Sequence, residues 1–80
     1  MGRELCLYMV YRSPDDYPGM YIARKFLINE MLVATSDVYY GLTLQSVRDQ
    51  LPKGLIRLPR SPDDAITVVE LWMQEYDLSI

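Results

Sequence analysis

Apolar and polar positions alternate along this chain in short blocks divided by turn-forming clusters, and only one block has a helical period. Residues 5–11, Leu-Cys-Leu-Tyr-Met-Val-Tyr, form an apolar run of β-favouring types, which predicts a strand buried on both faces. Residues 12–19, Arg-Ser-Pro-Asp-Asp-Tyr-Pro-Gly, are dense in turn formers and predict a loop. In residues 20–28 the alternating set Met20, Ile22, Arg24, Phe26 and Ile28 is expected to face the core, with Arg24 the exception. Asn29-Glu30 predicts a reversal into a strand at Met31 to Thr35, although the favoured Asn-Gly pair is absent. Residues 43–51 read as a helix: Thr43 is placed to cap it, and Leu42 and Val47 to staple its first turn. Leu44, Val47 and Leu51 share one face, Pro52 stops the helix, and Gly54 lets the chain reverse. Leu55 to Leu58 is a short extended segment. Residues 66–73, Ile-Thr-Val-Val-Glu-Leu-Trp-Met, open with four β-branched residues and predict the strongest strand.

The order strand, strand, strand, helix, strand predicts an α+β fold: a small antiparallel sheet of three to four strands with one helix packed on one face. Residues 1–73 are expected to form a single compact domain, and residues 74–80, with Glu75 and Asp77 and no basic residue, an acidic C-terminal tail.

Size sharpens this picture. A core built from 80 residues rarely supplies more than about 3–5 kcal/mol. The single cysteine excludes an internal disulfide framework, and the absence of histidine removes the commonest metal ligand and general base. Oligomerisation or docking on a partner is the remaining way to stabilise so small a domain. Seven tyrosines agree with that, because tyrosine joins a large apolar body to a polar tip and is enriched at interfaces. No apolar run approaches the roughly 18–20 residues of a membrane span, and Met1-Gly2-Arg3-Glu4 does not open a signal peptide, so a cytoplasmic setting is expected. The reading carries no membrane contact and no cofactor.

Arg12-Ser13-Pro14-Asp15-Asp16 recurs without change as Arg60-Ser61-Pro62-Asp63-Asp64. The plain reading is two turns built from the same parts, proline presetting the backbone and serine and aspartate accepting hydrogen bonds from nearby amides. The functional reading is an acidic surface of Asp15, Asp16, Asp63 and Asp64 at one end of the sheet, suited to a basic partner. The calcium-loop pattern of alternating oxygen donors is missing, so no metal site is expected. Arg48, Lys53, Arg57 and Arg60 form a basic stretch, but the chain as a whole carries a formal charge of −3, against nucleic-acid binding; those arginines are better placed to compensate the aspartates. Cys6, between Leu5 and Leu7, reads as a buried structural thiol. Tyr39, Tyr40 and Trp72 are candidates for an aromatic interface, with core packing as the plain alternative. Both faces of the last strand carry apolar residues, so one is core and the other covered, with Glu70 and Trp72 sharing a face. There is no glycine-rich phosphate loop, nucleophile elbow or Cys/His cluster, and the chain reads as a non-enzyme with no catalytic residues.

From Tyr17 to Met73 the chain resembles small uncharacterised proteins of phages and prophages. The resemblance lies in Tyr17-Pro18-Gly19-Met20-Tyr21-Ile22-Ala23-Arg24, Ser46-Val47-Arg48, Leu51-Pro52-Lys53-Gly54-Leu55, Arg57-Leu58-Pro59-Arg60-Ser61-Pro62-Asp63-Asp64 and Val69-Glu70-Leu71-Trp72. It implies a genomic context and no site residues: such proteins often bind a host protein, and some block defence complexes such as CRISPR effectors. The combined expectation is a non-enzymatic protein-binding module, a phage-type inhibitor or adaptor of a host protein complex that meets a basic partner surface. The alternative is a small structural protein whose homodimer is the functional unit.

Overall fold

A computed structural model describes residues 3–59 and 67–77. It contains strands β1 (Arg3–Arg12), β2 (Tyr21–Asn29) and β3 (Met31–Gly41), helix α1 (Leu44–Gln50), and strands β4 (Ile56–Leu58) and β5 (Val68–Asp77). The five strands form one sheet in the order β3-β2-β1-β5-β4, every neighbouring pair antiparallel. This corrects the expected three to four strands with a helix packed on a face: the described residues are mostly β, five strands in one sheet, and their one short helix lies nearest β3 and β2 and reaches β1 and β5 through the side chains of Val47, Leu51 and Arg48.

Three local features explain the difference. The extended segment after Gly54 is a true strand, paired Ile56 to Met73, Arg57 to Trp72 and Leu58 to Leu71. β3 does not stop at Thr35. Its polar centre forms a bulge in which Thr35 Oγ1 donates to the Lys25 carbonyl (2.8 Å) and accepts from the Asp37 amide (3.2 Å), after which pairing resumes through Tyr39 to Gly41. At the far end, β5 runs on to Asp77 opposite Arg3, past the expected start of the tail.

β1 is central, with both edges paired; Cys6, Tyr8 and Val10 are buried on the helix side, and on the other side Leu7 is buried while Met9 and Tyr11 are half-buried. On the helix side Cys6, Tyr8, Val10, Ala23, Val47 and Leu51 form the larger cluster. On the other side Leu7, Val68 and Leu71 form a second, flanked by Met9, Phe26 and Ile28. The helix-side core therefore takes Tyr21, Ala23 and Leu27 from β2, while the alternating set predicted to face the core lies on the second side. Thr43 caps α1 as predicted, accepting the Ser46 amide at 3.1 Å. Gly41 lets the helix approach: a Cβ there would stand 2.6 Å from Ser46 Oγ and 3.1 Å from Val47 Cγ2. Glu30 makes the β2–β3 reversal alone, in the left-handed region at φ 58°.

Candidate functional site

The loop after β1 is a built turn. Ser13 sits at φ 48°, its amide donates to the Met20 carbonyl (2.7 Å), and its hydroxyl accepts the Gly19 amide (3.0 Å). The Tyr17 amide closes on the Pro14 carbonyl at 2.9 Å. This is the plain role the repeated pentapeptide allowed, and it holds Asp15 and Asp16 in solvent. Asp16 pairs with Arg24, so the exception on β2 is accounted for by the loop above it. Tyr17 and Tyr40 sit beside this pair, ring centroids 5.0 Å apart and hydroxyls 3.2 Å apart. The hydrogen bond shared with Tyr40 holds the Tyr17 phenol above its ordinary value.

Asp63 and Asp64 lie outside the described residues. The Arg12 amide donates to the Thr67 carbonyl (2.8 Å), so the chain enters β5 beside the point where the first repeat begins. The expected compensation by Arg57 is not seen at Asp15 or Asp16: Arg57 points to Glu70 instead.

The three aromatic candidates divide between the two faces. Tyr40, cross-strand partner of Ile22, joins Asp16 and Tyr17 on the second side. Tyr39 packs on the helix side near Tyr8, at a ring distance of 6.2 Å, and Trp72 lies on that side beyond Tyr8. Asp16 and Tyr40 therefore share a surface, while Tyr39 and Trp72 belong to the opposite one.

Two features were missed from the sequence. The first is Glu70, 2% exposed and the one buried charged residue described. A register shift between β1 and β5 at Val10/Tyr11 leaves Val69 as an extra residue; Val69 and Trp72 both pack on the helix side, and Glu70 reaches the helix there. Arg48 binds Glu70 through two nitrogens, Nε at 3.1 Å and Nη2; Trp72 Nε1 donates to the same carboxylate at 2.9 Å, and Arg57 Nη2 stands 3.7 Å away. Burial pushes the Glu70 carboxyl up, but the hydrogen bonds from Arg48 and Trp72 and the charges of Arg48 and Arg57 outweigh it, and the group lies below its ordinary value. The Glu70 bond in turn raises Arg48. Arg57 also lies 5.9 Å from the Trp72 ring centre. Beside this network is a cleft of about 370 Å³ between the end of α1 and β5, bordered by Arg48, Leu51, Lys53, Leu55 and Trp72.

The second is the outer edge of β3. Met31, Leu32 and Val33 are 68%, 47% and 45% exposed, Ala34 is exposed after them, and no described strand pairs with that edge. Four consecutive exposed apolar residues on an open edge form a template for another strand.

Cys6 is buried and carries no disulfide. Among the described residues no cluster of three acidic, Cys or His side chains is arranged to hold a metal ion, and no helix is long and apolar enough to cross a membrane. No known protein family, curated protein or solved structure matches the chain.

Proposed function

We propose that the protein is a non-enzymatic binding module that acts as an inhibitor or adaptor of a larger protein by accepting a strand of that partner on β3. The observation that carries this reading is the uncharged, exposed run Met31-Leu32-Val33-Ala34 on the open edge of the sheet. In strand addition the main chain supplies affinity and alternate side chains supply specificity. The second face adds charge near the same strand: Asp15 and Asp16 are exposed in the loop whose Tyr17 packs on Tyr40, at the far end of β3, which suits a basic rim on the partner. The resemblance to phage and prophage proteins supplies the setting, a host cytoplasm in which the partner is a component of a complex such as a CRISPR effector.

Affinity capture from bacterial lysate tests the reading with three baits. The wild-type chain should retain a discrete partner. Val33→Lys, which places a charge on the edge without disturbing the buried clusters, should lose it. Asp15→Lys/Asp16→Lys should weaken capture at low salt and converge on wild type at high salt, because steering is screened over about 8–10 Å. Equal retention by Val33→Lys and wild type overturns the edge reading.

The same edge supports a second reading. Antiparallel pairing of two copies through residues 31–34 sets no like charges opposite one another, and it closes as a two-fold dimer. Sedimentation at micromolar concentration separates the two: a dimer that Val33→Lys dissociates favours self-pairing, and a monomer favours a foreign strand.

A further inference from the structure

The cleft beside Glu70 is independent of the β3 edge, and its chemistry is specific. Glu70 fixes two of its walls. It holds the Arg48 guanidinium by two nitrogens and the Trp72 indole by Nε1, so neither side chain needs ordering when a ligand arrives. Leu51 and Leu55 make the remaining wall apolar. Lys53 stands exposed on the cleft with no ion-pair partner among the described residues.

Charge narrows the ligand further. Around the cleft the cations Arg48, Lys53 and Arg57 face the carboxylates Asp49 and Glu70, which leaves a surplus of one positive charge in a chain whose formal charge is −3. The guanidinium nitrogens that would grip a second anion as a fork are already committed to Glu70. What remains for a ligand is a single ammonium and the outer guanidinium nitrogen, which match a monoanion better than a phosphate dianion. The volume, about 370 Å³, lies at the small end of ligand pockets.

From these features we infer that the cleft is a binding site for a carboxylate carried on a compact apolar body, the charge meeting Lys53 and Arg48 and the body lying between Trp72, Leu51 and Leu55. Such a group occurs as a free aryl or branched-alkyl acid and as the C-terminal residue of a peptide ending in an apolar side chain.

Trp72 is the only tryptophan in the chain and lines the site, so its emission reports occupancy. The full chain is titrated with 4-phenylbutyrate, its neutral amide and phenyl phosphate, each to about 10 mM, the range in which weak ligands of this size are detected. The peptide acetyl-Ala-Ala-Phe is tested with a free and with an amidated C-terminus. Backbone amide shifts of residues 51–55 are followed by NMR in parallel, which registers binding that leaves the indole unperturbed. A saturable response to the acid, with the amide and Lys53→Gln each weaker by about tenfold, is the expected result. Lys53 is exposed, so its substitution leaves the fold in place. Tighter binding of the free-acid peptide identifies a peptide terminus as the source, and tighter binding of phenylbutyrate a small molecule. Equal binding of acid and amide, preference for phenyl phosphate, or no saturable change in emission or amide shifts overturns the inference.

Discussion

Arg48→Met tests how the buried charge is held. Methionine keeps much of the apolar stem and removes the guanidinium. Glu70, almost wholly buried, then keeps only the Trp72 Nε1 bond at 2.9 Å and the more distant Arg57 at 3.7 Å. Removing one partner of a buried pair costs about 3–5 kcal/mol. The Arg48 side chain is itself 34% exposed and Arg57 remains within reach, so the cost falls below that range, to about 2–3 kcal/mol. Against the roughly 3–5 kcal/mol that a core of this length supplies, the loss is a large fraction. At a urea slope near 1 kcal/mol/M the midpoint falls by about 2–3 M. Equilibrium unfolding followed by Trp72 emission and by far-UV circular dichroism measures it. Glu70→Gln added to Arg48→Met removes the stranded charge while keeping an acceptor for the indole, and the double variant should recover about 1 kcal/mol or more over Arg48→Met alone. A midpoint shift below about 0.5 M for Arg48→Met, or strict additivity of the two changes, refutes the role given to this pair.

Four further outcomes follow from local geometry. Because the folded Glu70 carboxyl is held below its ordinary value, the stability it contributes is complete above the unfolded carboxylate value of about 4.3 and is lost as pH falls through the folded one; urea midpoints should decline below about pH 4, less steeply in Glu70→Gln. Gly41→Ala drives a methyl into Ser46 and Val47 and should cost about 1–3 kcal/mol, read as a lower thermal midpoint. Glu30→Gly relieves a left-handed residue at the tight reversal and should raise stability by about 0.5–1 kcal/mol in chemical denaturation. Thr43→Ala removes the cap bond to Ser46 and should cost about 1 kcal/mol, with the urea midpoint as the readout.

The elements whose signals are local were legible in the sequence. The apolar run of β1, the Thr43 cap and the proline stop of α1 each depend on a few neighbouring residues, and all three stand in the structure. Non-local features were not. β4 is three residues long; its extended backbone was legible in Leu55 to Leu58, but its pairing depends on the edge that β5 offers, which no window of its own sequence marks. Ser36 and Asp37 look like breakers, yet a bulge secured by Thr35 absorbs them and β3 continues. Glu70 sits between Val69 and Leu71, where alternation alone leaves its side open; it is paired opposite the buried Val10 and held by an arginine 22 residues earlier, and neither partner is marked in its own stretch of sequence. The same limits apply to the candidate site residues. Tyr39 and Tyr40 are adjacent in sequence and so fall on opposite faces of a strand, while Asp16 meets Arg24 and Tyr17 meets Tyr40 only because the loop after β1 folds back over β2 and β3.

Hydrogen exchange of the chain, alone and with the partner retained by capture, tests the strand-addition account most directly. Within Met31 to Ala34 the amides of alternate residues point away from β2; these outward amides should exchange quickly in the free chain, then become protected in the complex, while amides of the Glu70 cleft keep their free-state rates. Protection confined to the helix side, with residues 31–34 exchanging as fast in the complex as in the free chain, would contradict it.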